Sequence, residues 1–266
     1  MWDMSDAQDR QTALVTGASS GIGLELARVM AENGFDLALA ARSADRLESL
    51  AAELRDAHGV TATVLPADLS RPEAPAELTA ALSDGGLYVD VLVNNAGFAT
   101  YGPFIESELS AELDMIQVNV SALTQLTRLL LPGMVERGRG RVLNVASTAA
   151  FQPGPRMAGY FATKAFVLHL SEALATELAG TGVTVTALCP GPTASGFQER
   201  ADMQEARLVQ GGMMTARAVA EKGYRGMMRG KRIIIPGLSN KIGALSPRFL
   251  PRKLVAKAVA WVQDSA

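Results

Sequence analysis

Cysteine is nearly absent. The 266 residues hold one, Cys189, so no intrachain disulfide can form and a reducing compartment is expected. No run of 18 consecutive apolar residues occurs, which argues against a transmembrane segment. Residues 1–10 are polar and acidic and lack a basic start followed by an apolar stretch, so no secretory signal is expected and a cytoplasmic location is. The two histidines, His58 and His169, have no partners at ligand spacing, so no metal is expected. Charge of one sign is also lacking. The net charge is −2 at 20% charged residues, which excludes bulk nucleic-acid binding.

What is present is ordinary globular usage, 48% hydrophobic with 25 glycines, over a length sufficient for a sizeable core. The charge is unevenly spread. Arg217 to Lys257 holds eleven Lys/Arg against one acid, Glu221, so the rest of the chain is acidic. A solvated helix face paired with that acidic body explains such a segment; an interaction surface for anions or membranes is the sharper alternative.

Short apolar runs alternate with amphipathic stretches. Strands are expected at Thr12–Thr16, Asp36–Ala41, Thr61–Ala67, Val89–Asn94, Arg141–Ala146, Val183–Leu188 and Arg232–Ile235. Helices are expected over Leu24–Asn33 with Gly34 beyond its end, Ser43–His58 with Ser43 as N-cap, Glu73–Leu82, about Ala111–Glu136, and Ala158–Leu178. The strands are apolar throughout, as burial on both faces requires. The expected fold is therefore α/β, a doubly wound (Rossmann-type), mostly parallel seven-stranded sheet with helices on both faces. One domain is expected over residues 11–237, after a flexible segment 1–10 and before a basic extension 238–266 packed on the same domain.

The first chemical signal is the turn Gly17-Ala18-Ser19-Ser20-Gly21-Ile22-Gly23 between the first strand and the first helix. Glycine permits φ > 0 and close approach of a ligand, and a helix N-terminus offers free N–H groups to a diphosphate. The end of the second strand selects the dinucleotide. A ribose 2′-hydroxyl calls for an acid about 20 residues after the glycines, and a 2′-phosphate for a cation. Arg42 and Ser43 stand there with no acid, which favours NADP over NAD.

The second signal is Tyr160 and Lys164, one turn apart on one helix face. Tyrosine titrates near 10, and an adjacent ammonium favours its anion. Ser147 ends the fifth strand at the sheet's carboxyl edge, where such folds bind ligands, and its hydroxyl can hold a substrate carbonyl.

Together with Asp68-Leu69, Asn94-Asn95-Ala96-Gly97, Asn119 and Pro190-Gly191, these residues resemble the single-domain branch of the short-chain dehydrogenase/reductase family over about Thr12 to Gly237. The resemblance implies that Gly17, Ser19, Ser20, Gly21, Ile22 and Gly23 form the diphosphate turn. It implies that Asp68 and Leu69 meet adenine, and that Asn95, Ala96 and Gly97 line the ribose and tie the central strands. Tyr160 is implied as general acid/base, and Lys164 as the residue that holds the nicotinamide ribose and depresses the Tyr160 pKa. By the same resemblance Ser147 would orient the substrate oxygen, Asn119 would hold a water that links Lys164 to solvent, and Pro190, Gly191, Thr193 and Ser195 would meet the nicotinamide end. Ser195 stands where the family often has Thr. A second departure is the extension beyond the seventh strand. The family's long fourth and fifth helices imply a homodimer or homotetramer.

The expected activity is hydride transfer between NADP (NADPH) and a carbonyl or alcohol of a small to medium apolar substrate. Two alternatives are a 3-oxoacyl-carrier-protein reductase of fatty-acid type and a non-catalytic NADP-binding sensor. Ser147, Phe98, Met157 and Phe197 are expected at the substrate, within a wider lining of Tyr101, Phe104, Phe151, Pro153, Met203, Met213 and Met214. Residues 194–212 are expected to form a lid, and Cys189 to be a small buried residue. Pro247–Val262 reads as an amphipathic helix with Leu250, Leu254, Ala258 and Trp261 on one side. It is expected to dock on the body or a neighbouring subunit, with peripheral membrane or acyl-carrier contact as the alternative.

Overall fold

A computed structural model describes residues 10–197 and 213–263. The elements follow in the order β1 (Thr12–Thr16), α1 (Gly21–Glu32), β2 (Asp36–Ala41), α2 (Ala44–His58), β3 (Ala62–Pro66), α3 (Ala74–Asp84), β4 (Val89–Asn94), α4 (Leu109–Ile116), α5 (Leu123–Glu136), β5 (Gly140–Val145), α6 (Ala158–Glu177), β6 (Val183–Leu188), β7 (Thr193–Ala194), β8 (Met214–Thr215), α7 (Ala216–Met228), β9 (Ile233–Ile234), α8 (Leu238–Leu245) and α9 (Arg252–Gln263). Seven strands form one sheet in the order β3-β2-β1-β4-β5-β6-β9, and every pairing in it is parallel. The expected doubly wound architecture is the observed one.

The strand sequences explain the layering. Successive side chains leave a strand on opposite faces, so a fully apolar strand feeds two cores. Ala13, Val15, Leu37, Leu39, Val91 and Val93 pack on one face with α1, α2 and α7. Leu14, Ala38, Ala40, Leu92 and Val142 pack on the other with α3 and α5. Leu14 and Leu92 are fully buried, and each such side chain contributes about 2 kcal/mol by leaving water. Strand order reverses between β1 and β4, which opens the crevice at their carboxyl ends where ligands bind in sheets of this kind.

Several boundaries differ from expectation. Helix α1 begins at Gly21, three residues before Leu24, so the last glycines of the turn lie inside its first turn. Its end is as expected. Gly34 takes φ +81° and donates to Ala31 O at 3.0 Å, and Phe35 N–H reaches Met30 O at 3.1 Å. Ser43 occupies the N-cap of α2 without a side-chain capping bond. The single helix expected over 111–136 is two, α4 and α5, joined by a π-helical turn at Gln117–Ala122. Such widened turns shift the hydrogen-bond ladder by one residue and often mark functional positions; this one contains Asn119. The small pair β7–β8 was not anticipated.

The C-terminal helix also differs. Helix α9 does pack on the body, but through Val255, Val259 and Gln263. Leu250, Leu254 and Trp261, the side expected to dock, are 49%, 55% and 63% exposed. Of the basic segment, Arg217 pairs with Glu32 on α1, an acid of the body, and with Glu221 within the segment itself. Among the described residues no helix is long and apolar enough to cross a membrane.

Candidate active site

One cleft of about 420 Å³ runs along the carboxyl ends of the strands. Its base is the glycine turn. Gly17 adopts φ +66°, and a Cβ there would lie 2.8 Å from Asn95 Nδ2 and 3.0 Å from Ala96 Cα, so the turn closes on the β4 loop only with glycine. Thr16 makes the closure. Its Oγ1 accepts from the backbone N–H groups of Asn95 and Ala96, both at 3.0 Å, and donates to Val93 O. Asn95 Nδ2 donates to Thr16 O at 2.9 Å. Asn95 and Ala96 therefore tie the two central strands, and both also line the cleft.

Gly17, Ser19, Ser20, Gly21 and Ile22 face the cleft; Gly23 does not. A Cβ on Gly23 would meet Asn95 Nδ2 at 2.3 Å and Gly17 O at 2.4 Å, so its role is to let α1 approach the turn from behind. Ser20 makes no side-chain capping bond and the first turn of α1 holds no acid, which leaves the positive helix end facing the cleft for an anion. The cradle and the bare helix end fit a dinucleotide diphosphate.

Beyond the turn, Arg42, Ser43, Asp68 and Leu69 line one end of the cleft. Burial works to raise the Asp68 carboxyl, but two hydrogen bonds from Ser70 and the charges of Arg42 and Arg71 outweigh it and hold the group below its ordinary value. At the opposite end stand Gly97, Ser147, Tyr160, Lys164, Pro190, Gly191, Thr193 and Ser195.

Strand β5 and helix α6 bring Ser147, Tyr160 and Lys164 together. Ser147 follows β5, and its Oγ accepts from Ala149 N–H at 3.1 Å. Tyr160 and Lys164, in the first turns of α6, are 8% and 5% exposed. Lys164 Nζ donates to Val145 O at 2.8 Å and lies 5.8 Å from the Tyr160 ring centre. Burial pushes the Lys164 ammonium down to about 8. The expected depression of the tyrosine is not found: burial raises the Tyr160 phenol to about 12, and a hydrogen bond with Ser147 opposes this. Desolvation dominates, and the group that offsets it is Ser147 rather than the amine.

Asn119 lies behind the cleft rather than in its lining. Its Oδ1 accepts from Phe98 N–H at 3.1 Å, and its Nδ2 donates to Phe98 O and Thr163 Oγ1. It thereby fastens the π turn to the β4 loop and α6. A Cβ on Gly97 would sit 2.9 Å from Asn119 Oδ1 and 3.4 Å from Lys164 Nζ.

At the Tyr160 end, Phe98, Met157 and Phe197 line the cleft with Ser147, and the Phe197 ring centre is 5.4 Å from that of Tyr160. The wider lining is corrected. Tyr101, Phe104, Phe151, Pro153, Met213 and Met214 do not line it. Phe104 is 63% exposed, Met214 packs against the α1-side core, and Tyr101 packs beside the cleft with its hydroxyl on Gln263 O at 2.6 Å. Met203 and residues 198–212 of the expected lid lie outside the described residues. Phe161, Gln152 and Gln263 line the cleft without having been anticipated. Phe161 follows Tyr160 and could have been read from that neighbour; Gln263 carries no motif. Cys189 is buried and its thiol is pushed up to about 12 by burial, as suits a packing residue.

A sequence pattern described as short chain dehydrogenase matches residues 11–206. A protein of Streptomyces coelicolor named for ketoacyl reduction is 43% identical over 187 residues, 69% of this chain and 71% of that relative. A very-long-chain 3-oxoacyl-CoA reductase of Anas platyrhynchos is 38% identical over 67% of this chain, but the match spans only 58% of the duck protein. A solved short-chain dehydrogenase from Sphingobium yanoikuyae in complex with NADPH is 36% identical, with a TM-score of 0.81 over 90% of this chain and 91% of that one.

Proposed function

The chain belongs to the short-chain dehydrogenase family of oxidoreductases, and on that premise we propose that it is an NADPH-dependent carbonyl reductase for apolar substrates, with 3-oxoacyl compounds as the favoured class. The observation that carries this reading is the meeting of Ser147, Tyr160 and Lys164 at one end of a cleft whose other end presents Arg42. The solved Sphingobium relative holds NADPH, and both sequence relatives named above carry names for the reduction of ketoacyl or 3-oxoacyl groups.

In this reading the Gly17–Gly23 turn holds the diphosphate and Arg42 with Ser43 the 2′-phosphate, while Asp68 and Leu69 meet adenine. Lys164 and Asn95 to Gly97 hold the riboses, with Pro190, Gly191, Thr193 and Ser195 at the nicotinamide. NADPH, when bound, supplies the hydride. The protein's own work is placement and proton supply. Ser147 Oγ and the Tyr160 hydroxyl both donate to the substrate carbonyl oxygen, which positions it and stabilises the negative charge that develops there. Burial raises the phenol to about 12, so it keeps its proton at neutral pH; the hydrogen bond to the carbonyl oxygen gives that proton its path once negative charge develops there. The Lys164 ammonium then stabilises the phenolate left behind. Asn119 holds the π turn so that this region stays open to a proton relay. Phe98, Met157 and Phe197 exclude water and accept an apolar chain.

Exposed Leu109, Leu113 and Leu129 on α4 and α5, with Phe166 on α6, support assembly as a homo-oligomer. Loss of NADPH absorbance against a panel of 3-oxo esters, 3-oxo thioesters, simple ketones and aldehydes tests the function. Turnover fastest on the 3-oxo compounds is expected. Tight NADPH binding with no carbonyl consumed would refute it in favour of a nucleotide sensor.

A further inference from the structure

We propose that Gln263 is a substrate-anchoring residue whose side-chain carboxamide hydrogen-bonds a second, neutral carbonyl oxygen of the substrate, beyond the ketone that is reduced. The proposal rests on the reductase reading and adds the recognition element for it.

The first observation is an unpaired group. Gln263 is 1% exposed, and both its Nε2 and its Oε1 are buried with no hydrogen-bond partner among the described residues. Buried polar atoms in native proteins are nearly always paired, and leaving one unmade is costly. A carboxamide with both ends unmet is a group waiting for a ligand.

The second observation is its placement. Val255, Val259 and Gln263 recur every four residues on α9 and form its buried face. The two valines pack into the cluster that holds Met157, Tyr160 and Phe161. Gln263 continues that face one turn further and lines the cleft itself. Its backbone is held there, since Tyr101 Oη donates to Gln263 O at 2.6 Å and Tyr101 belongs to the loop after β4. The carboxamide is thus carried on a helix and tied at its end, the kind of support a recognition group needs.

The surroundings define the ligand's chemistry. Phe98, Met157, Phe161 and Phe197 make this end of the cleft apolar. Among the described residues, the cations that line the cleft are elsewhere: Arg42 and Arg46 stand at the β2–α2 end, and Lys164 is bonded to Val145 O. Among the described residues that line the cleft no cation stands with Phe98, Met157, Phe161 and Phe197 beside Gln263, so a neutral acyl oxygen, which the Nε2 donor can meet, suits this end better than a carboxylate. A 3-oxoacyl ester or thioester carries such an oxygen two carbons from its ketone; a simple ketone does not.

The test compares affinities where no turnover can occur. In Tyr160→Phe loaded with NADPH, a medium-chain 3-oxo ester is expected to bind about tenfold more tightly than the ketone of matched length. Adding Gln263→Met is expected to bring the two affinities within about twofold. It should also raise the melting temperature, because an unpaired buried amide is replaced by an apolar side chain of similar size. Equal affinities before the change, selectivity that survives it, binding of neither compound, or a fall in melting temperature would overturn the proposal. Should Gln263→Met not fold, Gln263→Asn, which keeps the amide and shortens its reach, must lose the same selectivity. Turnover by the unmodified protein is read separately: selectivity present without any reduction would refute the reductase reading while leaving the anchoring role intact.

Discussion

Replacing Lys164 by methionine should change how stability depends on pH more than it changes the fold. Lys164 is 5% exposed, and burial lowers its ammonium to about 8 from the ordinary 10.5. The folded state therefore binds this proton less tightly than the unfolded chain does, and the group destabilises the fold wherever both states carry it, below about pH 8. At about 1.4 kcal/mol per pH unit, the gap amounts to roughly 3 kcal/mol. As pH rises from about 8 towards 10.5 the folded protein has shed the proton and the unfolded chain has not, so stability rises and the penalty disappears. The lost hydrogen bond to Val145 O, 2.8 Å in the wild type, lowers the variant by an amount that does not follow pH. Urea denaturation of both proteins from pH 7 to 10 isolates the difference, because the one thiol that Lys164 influences, Cys189, is pushed up to about 12 and stays protonated in the folded protein across this range. The wild type should gain about 2–3 kcal/mol on Lys164→Met over that range. Parallel curves would show that the lysine is not held in a desolvated site, and the reasoning would fail.

Three further outcomes follow from the same geometry. Arg42→Ala should weaken NADPH binding about tenfold and leave NADH binding nearly unchanged, read by fluorescence titration, since the side chain is exposed and its charge partly screened. Gly23→Ala should cost about 1–3 kcal/mol by denaturation and weaken NADPH binding, because the new methyl meets Gly17 O at 2.4 Å and pushes α1 off the turn. Asn144→Leu should lower the melting temperature by several degrees. Asn144 is fully buried and joins Asn94 on β4 at 2.9 Å and Ser171 on α6 at 2.9 Å, so its loss removes one of the two bonds that Asn94 Nδ2 donates and the one that Ser171 Oγ accepts, behind the helix that carries Tyr160.

Much of the fold could be read along the chain because parallel strands must be apolar on both faces and the intervening helices amphipathic. TALVT and VDVLVN announce buried strands, and the glycines between β1 and α1 announce a turn that a ligand or another loop approaches closely. The cleft residues were legible for the same reason: Arg42, Asp68, Ser147, Tyr160 and Pro190 all follow strand ends or open helices, and topology carries such positions to one rim. Other features were not legible. The π turn at 117–122 leaves no mark on hydrophobic periodicity, which is the same for one continuous helix. Helix α9 has two apolar stripes, Val255/Val259 and Leu254/Ala258/Trp261, and the body decides which is buried. The direction of the Tyr160 shift depends on desolvation, which spacing alone does not report. Gln263 becomes conspicuous only through what it fails to touch.

The central claim is that the Tyr160 hydroxyl delivers the proton in carbonyl reduction. Tyr160→Phe, assayed for NADPH consumption with a 3-oxo ester alongside NADPH affinity, tests it most directly. The account predicts a loss of turnover of about a hundredfold or more with NADPH affinity retained. Turnover within a few-fold of the unmodified protein would contradict it.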